Sequence, residues 1–151
     1  MINYTHLTKE LKTMKIAVVD GQGGGIGSAV IKRLREEFGE SVQVIALGTN
    51  SIATSQMLKA RANKGATGEN AIIQTAAKMD FIVGPIGIVL AQAMMGEVTP
   101  AIAQAVAESP ALKLLLPLSQ ERVEIMGFVS EPLPHLVDKI ILRLKEVQHH
   151  V

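Results

Sequence analysis

Apolar residues along this chain fall into two alternating patterns: short unbroken runs of Val, Ile and Leu, and longer stretches where they recur every three or four positions. The first pattern suits strands buried on both faces of a parallel sheet, the second amphipathic helices. Ile16–Val19 reads as the opening strand. A helix is expected over Gly27–Phe38, with Ala29, Val30, Leu34 and Phe38 apolar, Lys32, Arg33, Glu36 and Glu37 facing water, and Gly39 just past its end. Val42–Leu47 is the second strand, closed by Gly48, and Ser51 is placed to cap a helix running to about Ala62. Asn63–Glu69 has the composition of a loop, with Thr67 able to cap a helix over Gly68–Lys78. Phe81–Val83 is the third strand, stopped by Gly84-Pro85, and a short apolar helix is expected over Ile88–Met95. Thr99-Pro100 starts a further helix with proline at its first position, ending near Ser109-Pro110. Leu112–Leu116 and Val123–Phe128 read as strands four and five. Pro132–Val147 is the closing amphipathic helix, with Leu136, Val137, Ile140, Ile141 and Leu144 on one face.

Strands that alternate with helices imply a mostly parallel sheet covered on both sides. The expectation is a single Rossmann-like α/β domain of three layers (α/β/α) with about five strands over residues 15–151, preceded by an N-terminal extension over residues 1–14. A chain of 151 residues is long enough to bury such a core without staples. Lys plus Arg is 15 and Asp plus Glu is 14, which argues against a phosphate-directed basic surface and therefore against a nucleic-acid partner. Cysteine is absent, which removes disulfides, thiolate nucleophiles and Cys-based metal sites together. Met1–Met14 lacks the apolar centre of a signal peptide, and the most apolar stretch, Phe81–Met95, is too short and too broken by Gly84, Pro85 and Gly87 to span a bilayer. A soluble, cytoplasmic protein without a membrane partner is expected. Apolar residues make up 48% of the chain and aromatic ones 3%, and Ile86–Met95 with its Met94-Met95 pair reads as core or as the interface of a homo-oligomer.

Candidate chemistry concentrates after the first strand. Asp20 ends it, and Gly21, Gly23, Gly24, Gly25 and Gly27 follow within seven residues before a helix begins. Glycines let backbone N–H groups approach an anion, and a helix N-terminus adds roughly half a positive charge, so the turn reads as a cradle for a phosphate or nucleotide. The plainer reading is a tight strand-to-helix turn. Ser28 could add a hydroxyl donor. In a parallel sheet the ligand edge is formed by the turns that leave the strands, here Asp20–Ser28, Gly48–Ser51, Gly84–Gly87 and Leu118–Gln120. Asp20 has two readings, a ligand for Mg²⁺ or a ribose, or a carboxylate that fixes its own turn. Glu69 and Asn70 are open to a catalytic or substrate-binding role and, alternatively, to helix capping. His6, His135, His149 and His150 offer no metal-ligand spacing beyond the adjacent terminal pair, and no metal site is expected.

Gly21, Gly25, Ile26 and Gly27 resemble the GxxxGIG cofactor loop of short-chain dehydrogenases, over about 15 residues. That family needs a catalytic Tyr-x-x-x-Lys, whereas the only tyrosine here is Tyr4, ahead of the first strand, and the chain is far shorter. A ribose-binding acid is expected about 20 residues beyond such a loop. Leu47-Gly48-Thr49-Asn50-Ser51 stands there without a carboxylate; Thr49, Asn50 and Ser51 could hydrogen-bond a ribose or a 2′-phosphate, but no arginine follows until Arg61. A P-loop would need a lysine where Ser28 or Ala29 stands.

Taken together, KIAVVDGQGGGIG, IALGTNSIATSQMLKA, GATGENAI, IVGPIGIV, GEVTPAIAQAVAES and LLLPLS resemble a family of small bacterial proteins described as a domain of unknown function, over roughly Lys15–Leu118. The resemblance implies a Rossmann-like unit and no particular activity. Three functions stay open. The first is a nucleotide- or phosphometabolite-binding protein acting as a sensor or assembly subunit. The second is a small enzyme whose chemistry is carried by NAD(P) or another nucleotide cofactor, with Asp20, Asn50, Glu69 and Asn70 as polar contributors. The third is a structural module in which the glycines only pack.

Overall fold

The computed structural model describes residues 13–149. Most of the expected N-terminal extension, with Tyr4 and His6, lies outside them, as does His150; Met14 already belongs to the first strand. Five strands form one sheet, all parallel: β1 (Met14–Asp20), β2 (Val42–Gly48), β3 (Lys64–Thr67), β4 (Phe81–Pro85) and β5 (Leu112–Leu116). The helices are α1 (Gly25–Phe38), α2 (Ser51–Lys59), α3 (Glu69–Ala76), α4 (Pro100–Glu108) and α5 (Leu133–His149). The expected α/β architecture of three layers is what the chain adopts.

Strand order across the sheet is β3-β2-β1-β4-β5. The chain runs outward from β1 through β2 to β3, then returns to the other side of β1 for β4 and β5. The order therefore reverses between β1 and β4, and a crevice opens there at the carboxyl ends of the strands. Alternation along β1 serves both layers. Ile16 and Val18 pack with Val30, Ile31 and Leu34 of α1, Met57 of α2 and Leu136, Ile140 and Leu144 of α5. Ala17 and Val19 pack on the opposite face with Ile72 of α3 and Ile102 and Val106 of α4.

Two strand assignments differ from the sequence expectation, and they offset each other in number. Lys64–Thr67, read as loop, is the edge strand β3, paired with Ile45–Gly48 of β2. Val123–Phe128, read as a strand, is irregular: Gly127 has a φ of 83° and Phe128 N–H donates back to Ile125. The expected helix over Ile88–Met95 is a single 3-10 turn, Ile86–Val89, followed by a knot of turns. Gln92, Met94 and Met95 take left-handed φ angles of 73°, 58° and 58°, which no α-helix accommodates. Met95 is 95% exposed, so it is not a core residue. α2 is capped by Asn50 rather than Ser51, its side-chain oxygen accepting from Ala53 N–H at 2.9 Å, and Gly68 rather than Thr67 precedes α3.

One buried charge fastens the sheet end opposite the crevice. Arg35 is 4% exposed, and its guanidinium donates to the carbonyls of Arg61, Gly39 and Val42 and to Asn63 Oδ1. Among the described residues no helix is long and apolar enough to cross a membrane.

Candidate functional site

The turn from Asp20 into α1 is organised by the Asp20 carboxylate. Its two oxygens accept from Gly21 N–H at 2.8 Å and Gly27 N–H at 2.7 Å, which closes the loop on itself. Burial pushes the Asp20 carboxyl above its ordinary value; the N–H groups of Gly27 and Gly21 pull it back, and the charge of Glu97 adds to the rise. Gly24 N–H donates to Gly21 carbonyl at 2.9 Å, and Gly24 carbonyl accepts the first helical bond from Ser28 N–H.

The five glycines divide into two sets. Gly21, Gly24 and Gly27 are required by the fold. A Cβ on Gly21 would strike Thr49 Oγ1, Met94 Sδ and Glu97 Oε1; one on Gly24, at φ 72°, would lie 2.9 Å from the Ala53 backbone; one on Gly27 would lie 2.5 Å from Met57 Sδ. Gly23 and Gly25 are different. A Cβ at either meets nothing within 4 Å, and neither has a left-handed φ. Both are exposed.

Beside this turn lies a cavity of about 470 Å³ at the reversal of strand order. Asp20, Gln22 and Ile26 line it from the loop, Pro85 from the end of β4, Gly87 from the 3-10 turn after it, and Met94, Met95 and Leu118–Glu121 from the far side. Glu121 Oε1 accepts from Met94 N–H at 2.7 Å, tying the segment after β5 to the turns after β4.

At the tip of β2 stands a group the sequence reading missed. Glu97 Oε1 accepts from Thr49 Oγ1 at 2.6 Å, Asn50 Nδ2 at 2.8 Å and Gln22 N–H at 2.9 Å. Partial burial works against its ionisation, but the donors Thr49, Gln22 and Asn50 outweigh it and hold the Glu97 carboxyl below its ordinary range. Asn50 also donates to Gln22 carbonyl at 3.0 Å, so the loop, β2 tip and Glu97 form one network. Nothing local in sequence marks Glu97, which is 75 positions from Gln22.

The other candidates are placed as follows. Ser51 opens α2 on the surface. Ser28 Oγ is enclosed and has no hydrogen-bond partner among the described residues. Gly84 packs against the Val19 carbonyl and Ile88, which explains its lack of a side chain. Glu69 accepts from Thr99 Oγ1 at 2.6 Å, joining α3 to the start of α4. Asn70 is exposed on α3, and neither it nor Glu69 lines the cavity. Among the described residues no group of three His, Cys, Asp or Glu is placed to hold a metal ion.

A family model matches residues 15–149. The chain belongs to the family described as Domain of unknown function (DUF3842). The matched span of DUF3842 takes in all of the sheet but Met14, together with α5, extending past the motifs that carried the resemblance in sequence. None of the curated proteins matches the chain. Among solved structures, a dodecameric FMN-dependent UbiX-like decarboxylase from Escherichia coli O157:H7 aligns at 17% identity over 88% of this chain and 75% of its own, with a TM-score of 0.45. A universal stress protein in complex with cAMP aligns at 19% identity over 70% of this chain and 97% of its own, with a TM-score of 0.39.

Proposed function

We propose that this chain is a small nucleotide- or phosphometabolite-binding protein, acting as a sensor or as a subunit of a larger assembly. In this reading a phosphate rests on the N–H groups of Gly23 and Gly25, which flank Gly24 with its own N–H held by the Gly21 carbonyl, and the remainder of the ligand fills the adjoining cavity. The observation that carries it is the openness of Gly23 and Gly25. A glycine kept only for packing has neighbours where its Cβ would be, and one kept for its backbone has a positive φ; these two have neither. Space over backbone N–H groups at a helix N-terminus is what an anion uses. Gln22 and Ile26, which bracket the two glycines, both line the cavity, so phosphate and cavity contacts fall within one ligand's reach.

A volume of about 470 Å³ lies within the usual range for small-molecule sites. Asp20 supports binding over catalysis, because both its oxygens are committed to backbone N–H groups and hold the loop's shape. Left-handed residues also gather here: Gln22, Gln92, Met94 and Met95 all border the cavity or the turns that carry Glu97. Such conformations cost about 1–3 kcal/mol each and recur where a ligand site is shaped.

The test is native mass spectrometry of freshly purified protein, followed by thermal shift against ribonucleotides, FMN, sugar phosphates and inorganic phosphate. Retained ligand or stabilisation is expected, and Gly25→Val is expected to abolish it by placing a side chain in the approach. Absence of any retained ligand or stabilisation across that panel overturns the proposal. We further propose that the protein self-associates, since Met95, Met126 and Val129 are 95%, 79% and 76% exposed. Light scattering that returns the 16.1 kDa monomer at micromolar concentration refutes this.

A further inference from the structure

We propose that Glu97 recognises a ribose cis-diol, so that the ligand of this site is a ribonucleotide with free 2′- and 3′-hydroxyls. The inference rests on the nucleotide reading above and sharpens it. The turn after β2 carries no acid, only Thr49, Asn50 and Ser51. Strand order nonetheless brings a carboxylate to that tip from the segment after β4, because β4 lies beside β1 and its outgoing turns pass over the loop. Thr49 and Asn50 act as the seat for this carboxylate.

Three donors converge on Glu97 Oε1, while Oε2 has no hydrogen-bond partner among the described residues and is not sealed from solvent. A carboxylate fixed through one oxygen, with the other free, is a preorganised acceptor. Vicinal hydroxyls supply the donors it lacks, and charge-assisted hydrogen bonds of this kind are among the stronger ones. The position fits a nucleotide. Gln22 N–H holds Glu97 at one end of the glycine turn, and Gly23 and Gly25, with open space where a Cβ would stand, follow just beyond, so diol and phosphate sites are adjacent. Gly21 is glycine because its Cβ position is taken by Thr49, Met94 and Glu97 Oε1. A phosphate at the β2 tip would instead meet the negative charges of Glu97 and nearby Asp20, which disfavours a 2′-phosphorylated ligand.

The experiment measures affinities of AMP, ADP and GDP beside their 2′-deoxy counterparts, and NAD⁺ beside NADP⁺, on the full chain and on Glu97→Gln. The unmodified protein is expected to bind the ribo forms about tenfold or more tighter than the deoxy forms, with NADP⁺ weaker than NAD⁺. Glu97→Gln is expected to bring the ribo-to-deoxy ratio toward one while leaving deoxy affinity within about twofold, since one carboxylate contact to the diol is what changes. Equal ribo and deoxy affinity in the unmodified protein overturns the proposal, and that comparison needs no variant. Tighter binding of every ligand to Glu97→Gln also overturns it, by showing that the carboxylate obstructs the cradle. If FMN or inorganic phosphate stabilises the protein and no ribonucleotide does, the phosphate cradle stands and the role of Glu97 falls; if none does, both fall.

Discussion

Replacing Gly25 and Gly27 by alanine separates what the fold needs from what a ligand needs. The two positions lie two residues apart at the start of α1, share a helical backbone, and differ in surroundings. At Gly25 the added methyl meets nothing within 4 Å. Its main effect is to reduce the freedom of the unfolded chain, which stabilises by about 0.4–1 kcal/mol at a conformation alanine accepts. For a domain of this size each kcal/mol moves Tm by roughly 2–4 °C, so Gly25→Ala should raise Tm by about 1–4 °C. At Gly27 the methyl would stand 2.5 Å from Met57 Sδ and 3.0 Å from Asp20 Cβ. Met57, on the buried face of α2, is fully enclosed and can yield only by disturbing its neighbours, and overpacking of this kind costs about 1–3 kcal/mol. The corresponding fall is about 2–12 °C. Differential scanning fluorimetry of the two variants, without ligand, reads both signs. If Gly25→Ala loses stability as Gly27→Ala does, glycine at 25 is a folding requirement, and the inference from its openness to a ligand is wrong.

Other residues give separate expectations. Arg35→Ala takes the guanidinium from three carbonyls and leaves Asn63 Oδ1 with Val44 N–H as its remaining donor, and should cost about 3 kcal/mol or more in urea unfolding; a loss under about 1 kcal/mol would show that water replaces the guanidinium. Asp20 has a folded-state carboxyl raised above 3.8, so its ionisation opposes folding: its contribution is most favourable below pH 3.8 and is lost as pH rises through the raised folded value. Asp20→Asn removes that slope, visible as a difference between the two stability-versus-pH curves on the acid side, and parallel curves would refute the assignment. The same variant orphans one backbone N–H and should cost about 1–3 kcal/mol at neutral pH. Glu69→Gln, by contrast, keeps an acceptor for Thr99 Oγ1 outside the cavity and should leave both Tm and ligand affinity near those of the parent; a large affinity loss would move the site toward α3.

The buried parallel strands were legible because their residues repeat the signal of their environment. Ile16–Val19 and Phe81–Val83 are apolar on both faces, and burial on both faces is what β1 and β4 have. The edge strand carries no such signal. Lys64–Thr67 is exposed on most of its length and holds only four residues, so its assignment depends on β2 lying alongside. Val123–Phe128 carries the opposite fault: an apolar-rich stretch that pairs with no strand among the described residues, exposed from Val123 to Gly127. The site shows the same division. The glycine turn could be read because all its parts are within eight residues, whereas Glu97 acquires its meaning only from Thr49, Asn50 and Gln22, brought together by strand order.

The charges at this site also bound how a ligand must bind. The cavity is lined by Asp20 and Glu121 and by no Lys or Arg, and Glu97, which does not line it but accepts from the lining residue Gln22, adds a third carboxylate beside it. A phosphate here depends on backbone N–H groups and the α1 dipole alone. The dipole supplies about 0.3–1 kcal/mol, and each charge-assisted hydrogen bond a net of about 1.5–3 kcal/mol. One or two such bonds reach about 2–7 kcal/mol before the cost of association and the repulsion of the carboxylates, against the 4.1 kcal/mol that a millimolar Kd requires. Inorganic phosphate should therefore bind no tighter than the millimolar range. A nucleotide adds the apolar contacts of Ile26, Pro85, Met94 and Leu118 and hydroxyl donors for Glu97, which turn an excess of negative charge from a penalty into a selector. Micromolar binding of bare phosphate in isothermal titration would contradict this division, because it would require a cation that the described residues do not place at the cavity.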